Sequence, residues 1–252
     1  MTLRVNSMSA QPTPEQVFLQ RLDALQRDAR ATARYAYVGS SINFIANQNP
    51  TLVPILDRDA GFWNTVLGGM QTSSIVALGR IYDSRKDVLS ADRLVKHVTT
   101  YPGIFSRAAL ATRKGPIYTV DAFEPRAVDF KPLQDALDEH TSLYESTIGP
   151  IRHKVFAHAG NITDAEKYEM FQNVPRADYE RLSVFPLALW NALFQLYHNG
   201  QQPMLESITS DLATLVANPA GAREITFEHR YAINDTAQFL RHLESSQTSD
   251  LP

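Results

Sequence analysis

From Pro14 onward the apolar residues return at intervals of mostly three and four: Phe18, Leu22, Leu25, Ala29, Ala33, Ala36 and Phe44. That spacing lines one face of a helix and does not fit the two-residue alternation of a strand. The N-terminal part is therefore read as one amphipathic helix over about residues 14–46, which needs apolar partners along its length. Thr13-Pro14-Glu15-Gln16 is a matching start: Thr13 can cap, Pro14 suits the first helical position, and Gln16 can complete a capping box. Asn47-Gln48-Asn49-Pro50 ends the run.

The rest of the chain repeats the theme. A second long helix is predicted over about 59–83, with Phe62, Trp63, Val66, Leu67, Met70, Ser74, Ala77, Leu78 and Ile81 on a broad apolar face. Its Gly68-Gly69 pair costs roughly 1 kcal/mol per glycine against alanine, or allows a neighbouring helix to come close. Shorter helices are expected from Ser90 and from Pro102, and a longer one over about 131–148 with Leu133, Leu137, His140, Tyr144 and Ile148 inward. Thr163 and Glu166 form another capping box. A helix over about 177–198 must bend or divide at Pro186. Further helices are placed near 203–217 and 235–245. Strand signals are confined to Ile117–Val120, inside a proline-rich loop over 113–131, and to the alternation of Ile225, Phe227, His229 and Tyr231. The fold class is all-α: a helical bundle with long antiparallel helices and a loop insertion near 100–131. Residues 1–12 are expected to be a disordered lead-in, 13–200 the helical domain, 201–245 a C-terminal helical extension packed on it, and 246–252 a flexible tail.

Composition narrows the function. With 44% hydrophobic and 20% charged residues, the chain of 252 residues can bury a sizeable core. A net charge of −3 argues against a nonspecific nucleic-acid coat, which is normally strongly basic, but permits a local basic cleft. The absence of cysteine excludes disulfides, thiolate metal sites and a cysteine nucleophile. No apolar segment reads as a secretion signal or a membrane helix, so a soluble, cytoplasmic protein is expected.

The chemistry is concentrated in Ile151-Arg152-His153-Lys154-Val155-Phe156-Ala157-His158, with no acidic residue between Glu145 and Asp164. Arginine offers a fixed fork of donors that matches phosphate oxygens, and histidine exchanges protons near neutral pH. The two histidines do not suggest zinc, because their spacing puts them on different faces and no carboxylate is near in sequence; no metal or other cofactor is expected. Arg152 and His158 fall about 120° apart around a regular α-helix, so one side chain must reach over or the site must wrap two sides. His158 also follows Ile151 and Val155 by seven and three residues, which fits a buried core histidine as well as a catalytic one. Arg152 can hold a phosphate or pair with Glu145 or Asp164. Lys154 is a solvated residue or a secondary phosphate contact. Arg80 and Asp83 lie three apart and either pair with each other or, through Asp83, orient the site. For His97, His140, His198, His229 and His242 a surface or core role is expected.

The Arg152–His158 string, after a long helix and the Gly149-Pro150 break, resembles the HEPN superfamily. Phe62-Trp63 followed by Leu78-Gly79-Arg80-Ile81-Tyr82-Asp83 resembles the second helix of its branch related to abortive-infection U proteins, and the resemblance spans roughly residues 14–200. It implies an all-α bundle that often dimerises with the motif helices facing each other. Many members are metal-independent ribonucleases of defence or toxin–antitoxin systems, and others only bind. It assigns Arg152 and His158 to the paired catalytic positions and puts His153 where asparagine is common. The expected function is a metal-independent endoribonuclease of a bacterial defence or toxin–antitoxin system. RNA would be its substrate, a second copy its partner in a homodimer, and an antitoxin a possible further partner. The alternative is an inactive HEPN-like module that binds a nucleotide or a partner protein.

Overall fold

The computed structural model describes residues 11–83, 85, 88–157, 162–206 and 227–248. Helix α1 (Pro14–Gln48) is the axis around which the others pack. Its start follows from local sequence: the Gln16 side chain accepts from the Thr13 amide at 2.8 Å while Thr13 Oγ1 accepts from the Gln16 amide at 3.2 Å. Phe18, Leu22, Leu25, Ala29, Ala33, Ala36, Tyr37 and Ile42 are buried along it, so the three-and-four spacing is the packed face. A short helix, α2 (Val53–Arg58), then turns the chain into α3 (Ala60–Ile81).

Helix α3 runs antiparallel to α1. Asp28 meets Arg80, Thr32 lies opposite Ser74, and Gly39 faces Leu67. Gly68 and Gly69 do not serve close helix packing: a β-carbon at either would meet nothing within 4 Å. Helix α4 (Ala91–Thr100), a longer α6 (Lys131–Ser146) and α9 (Arg176–Asn199) close the main core. There Leu78 and Ile81 pack with Leu94, Val98, Phe130, Leu133, Leu137, Leu189 and Leu193. A last helix, α10 (Phe227–Thr248), lies alongside α1, bringing Ile233 to Tyr37 and Leu240 to Ile42.

Three expectations are corrected. First, the segment near 100–131, read as a loop insertion with a short helix from Pro102, holds more helical structure than that. It folds into a 3₁₀ turn (Pro102–Phe105), helix α5 (Arg107–Lys114) and further 3₁₀ turns at Pro116–Thr119 and Ala127–Phe130. The strand expected at Ile117–Val120 is absent: Pro116 fixes a helical φ at the first position, and Thr119 Oγ1 donates back to the Pro116 carbonyl at 2.8 Å. Gly200 ties the segment down. At φ 63° it caps α9, and it approaches so closely that a β-carbon would sit 2.7 Å from that of Ala122. Second, the alternation at 227–231 is helical, as the start of α10; Ile225 lies outside the described residues. Third, residues 203–206 are not helical, and 207–217 lie outside the described residues.

Pro186 does not divide α9, which runs unbroken from Arg176 to Asn199. Proline removes the amide that would bond the Leu182 carbonyl one turn earlier. The buried Tyr82 hydroxyl donates to that same carbonyl at 3.1 Å. One orphaned acceptor and one buried donor thus satisfy each other, as buried polar groups must. Burial pushes the Tyr82 phenol well above its ordinary pKa, so it remains a donor at any physiological pH. We expect Tyr82→Phe to cost about 1–3 kcal/mol in chemical denaturation, the price of a buried unsatisfied acceptor. In a Pro186→Ala background, where the helix regains its own donor, the same substitution should cost markedly less. Equal costs in both backgrounds would show that the two groups do not serve each other.

Candidate functional site

Helix α6 ends at Ser146, and the next turn, α7 (Ile148–Ile151), already contains Gly149 and Pro150. The break therefore falls at Thr147, two residues before the Gly-Pro pair, and Pro150 occupies a first turn, where its missing N–H is no loss. From Arg152 to Ala157 the chain winds as a π-helix. Such turns are rare and recur at functional sites. The regular α-helical angle between Arg152 and His158 does not carry over to this turn, and His158 itself lies outside the described residues. Ile151 is buried and Val155 packs against the main core, so this side of the turn faces inward. His153 and Lys154 are exposed. Lys154 lies near enough to the Thr163–Glu166 capping box to add slightly to the lowering of the Glu166 carboxyl, which the Thr163 hydrogen bonds chiefly hold down.

Arg152 is placed by α3. Its side chain is 31% exposed and lies across the backbone at Gly79. Its Nη1 is 4.0 Å from Asp83 Oδ2, two residues past the end of α3. The last carbonyls of α3 point the same way and favour a cation there. Asp83 is only 8% exposed. Burial pushes its carboxyl up, but the Arg85 amide and side chain bond it at 2.9 and 3.1 Å. Together with the charges of Arg85 and Arg152, these bonds bring it below the usual carboxylate range. Two guanidinium groups therefore face one carboxylate. The neighbours in sequence do not fill that place: Glu145 is exposed, and Asp164 pairs with Lys167 at 2.9 Å.

Arg80 and Asp83 do not pair with each other. Arg80 instead forms a bidentate bridge to Asp28 on α1, with Nη2–Oδ1 at 2.6 Å and Nε–Oδ2 at 3.1 Å. Its guanidinium stays 52% exposed beside the Asp28 partner, on the α1 side of α3 rather than at Arg152. Sequence reasoning missed Gly79, Tyr144 and Arg85. Tyr144 is stacked on Tyr82 with ring centres 5.2 Å apart and planes 21° from parallel. Its buried hydroxyl lies beside the Arg152 guanidinium but is not aligned for an ordinary hydrogen bond with it. Burial raises the phenol pKa, and the Arg152 charge offsets part of that. The one available signal was the string Leu78-Gly79-Arg80-Ile81-Tyr82-Asp83, which carries the seat, the stacking ring and the carboxylate together.

The other features are structural. His140 is buried, stacked on Phe185 at 3.9 Å, with Nδ1 bonded to the Ala136 carbonyl at 2.7 Å. His97 Nε2 donates to the Pro14 carbonyl at 2.8 Å. An open apolar groove of about 630 Å³, lined by Val38, Trp63, Met70 and Phe239 among others, lies between α1, α3 and α10, away from Arg152. No group of three His, Asp or Glu side chains among the described residues is placed to hold a metal ion. No helix among the described residues is long and apolar enough to cross a membrane.

The sequence profile of the HEPN family AbiU2 matches residues 16–215, and the chain belongs to that family. No curated protein and no solved structure matches the chain.

The core role of His140 makes a pH prediction. Burial, the largest cause, pulls its imidazole below the ordinary pKa. The Ala136 carbonyl opposes, the Arg181 charge adds to the lowering, and Glu139 opposes weakly. A folded pKa below the unfolded one means that neutral His140 contributes stability above about pH 6.5, which is lost as the pH falls. The melting temperature of the wild type should therefore drop between about pH 7.5 and 5.5, and His140→Phe should flatten that slope. An unchanged slope would mean that His140 is solvated.

Proposed function

We propose that the protein is a metal-independent endoribonuclease acting in bacterial defence or as the toxin of a toxin–antitoxin pair. The observation that carries the reading is the Arg152 guanidinium, held half-buried against a carboxylate that it shares with Arg85, beside the exposed His153 and Lys154. A guanidinium fixed before substrate arrives, against a carboxylate it shares with a second guanidinium, suits the phosphate of a ribose backbone. In this scheme His158 takes the proton of a ribose 2′-hydroxyl, and the freed oxygen attacks the adjacent phosphorus. Arg152 stabilises the charge that builds on the phosphate oxygens. His153, or a histidine of a second copy, protonates the departing 5′-oxygen. The products are a 2′,3′-cyclic phosphate and a free 5′-hydroxyl. Lys154 supplies a secondary phosphate contact, and Asp83 orients Arg152.

Arg152→Ala should lower cleavage by about 10²–10³-fold, the usual loss for a charge-stabilising donor, and His158→Ala by about 10²–10⁴-fold. His153→Asn should be milder, and all three variants should keep the wild-type circular dichroism spectrum. Cleavage at the wild-type rate by both alanine variants would overturn the scheme. A wild type that cuts no RNA and is harmless on expression would leave the binding module of the same family. Cleavage should also survive excess EDTA; activity lost to chelation and restored by magnesium or manganese would point to a different mechanism.

Members of this superfamily often build composite sites from two copies, and the exposure of His153 and Lys154 suits such an arrangement. Light scattering at micromolar concentration should give about twice the chain mass of 28.2 kDa. A monomer at every accessible concentration would remove the second copy from the scheme.

A further inference from the structure

We propose that Gly79 is a positioning residue: its bare α-carbon is the seat that fixes the direction of the Arg152 guanidinium, and so the way Arg152 meets a phosphate. An ideal β-carbon at position 79 would lie 2.2 Å from Arg152 Nε, 2.3 Å from Cδ and 2.8 Å from Cζ. The stem of the side chain and the root of its guanidinium both run over this one point, so no other amino acid fits while Arg152 keeps its place.

The other glycines of α3 provide the contrast. Gly61, Gly68 and Gly69 would meet nothing within 4 Å if they carried a β-carbon. Glycine inside a helix is unfavourable relative to alanine, and at those three positions no contact offsets the cost. At Gly79 a contact does. The seat also determines what Arg152 reaches. Asp83 lies two residues past the end of α3, and a side chain laid across Gly79 reaches it there, at 4.0 Å. The buried Tyr144 hydroxyl lies beside the guanidinium. Arginine is rich in rotamers, and freezing it costs conformational entropy. Here that cost is met during folding, which leaves a guanidinium already oriented when substrate arrives. The part of the inference that concerns RNA rests on the proposed nuclease function; the seat itself does not.

The experiment is a double-variant cycle of Gly79→Ala and Arg152→Ala, with Gly69→Ala as the control. In the wild-type background Gly79→Ala should lower the melting temperature and reduce kcat for RNA by about 10²-fold, with a smaller change in KM, because a misdirected donor fails most in the transition state. With Arg152 truncated the clash disappears. Gly79→Ala should then raise the melting temperature by about 2–4 °C, as expected for alanine replacing glycine inside a helix, and should cost no further activity. Gly69→Ala should raise the melting temperature in either background and leave cleavage unchanged. If Gly79→Ala does not fold alone, the double variant must still fold. The proposal is overturned if Gly79→Ala lowers the melting temperature equally in both backgrounds, if it cuts RNA like the wild type, or if the double variant is unfolded. Should the wild type cut no RNA, the nuclease reading fails separately. The sign reversal in melting temperature then decides the seat alone, and binding of a non-cleavable 2′-O-methyl RNA, weakened by Gly79→Ala but not by Gly69→Ala, replaces the kinetic arm.

Discussion

The interaction on which the site depends is the one between the Arg152 side chain and the C-terminal turn of α3. A cation leaving a π-wound turn crosses a neighbouring helix at its one covered glycine and meets a nearly buried carboxylate just past the end of that helix. Had Asp83 been a neighbour in sequence, the cationic run at 152–158 would be locally compensated and a phosphate would have little to gain there. The carboxylate comes instead from just past the end of α3 and is already bonded by Arg85, so Arg152 shares it. A cation restrained before substrate arrives is what a pre-organised phosphate site requires.

The same turn is tied to the centre of the bundle. Tyr82 follows Ile81 at the end of α3, donates to the Leu182 carbonyl freed by Pro186, and presents its ring to Tyr144, which lies beside Arg152. A proline in the middle of α9 is thus connected to the site through two aromatic rings. The chain keeps α9 straight enough to remain one helix and uses the carbonyl that proline releases as an anchor for the element that holds the arginine. The α3 helix is less committed elsewhere: its buried residues are Ser74, Ile75, Ala77, Leu78, Gly79 and Ile81, all in the half that supports Arg152.

Much of the fold was legible in the sequence because the signals were local. The capping boxes at Thr13 and Thr163 form as read, and the apolar stripes of α1, α6 and α9 are the faces that pack; that of α3 is buried only in its C-terminal half, and Phe62 stays exposed. The family was legible too, from the Arg152–His158 string and the Leu78–Asp83 string. What failed depended on tertiary partners. Ile117–Val120 has strand-forming residues but no neighbouring strand, and Pro116 winds it into a 3₁₀ turn. Arg80 had Asp83 three residues away, yet α1 passes close enough to offer Asp28 in a bidentate geometry, and Asp83 bonds Arg85 instead. Gly79 looks like Gly68 and Gly69 in sequence; only the path of a side chain from another helix separates them.

The central claim is that Arg152 is held in place before substrate binds and is then the group that meets the phosphate. Nitrogen-15 NMR of the arginine Nε–H groups tests it directly, with the Arg152 signal assigned by its loss in Arg152→Lys. The account predicts a slowly exchanging, motionally restricted Nε–H for Arg152 in the free protein, and a shift of that signal when a non-cleavable 2′-O-methyl RNA is added. An Arg152 signal averaged like that of an exposed arginine, or one that does not move while RNA binds elsewhere, would contradict it.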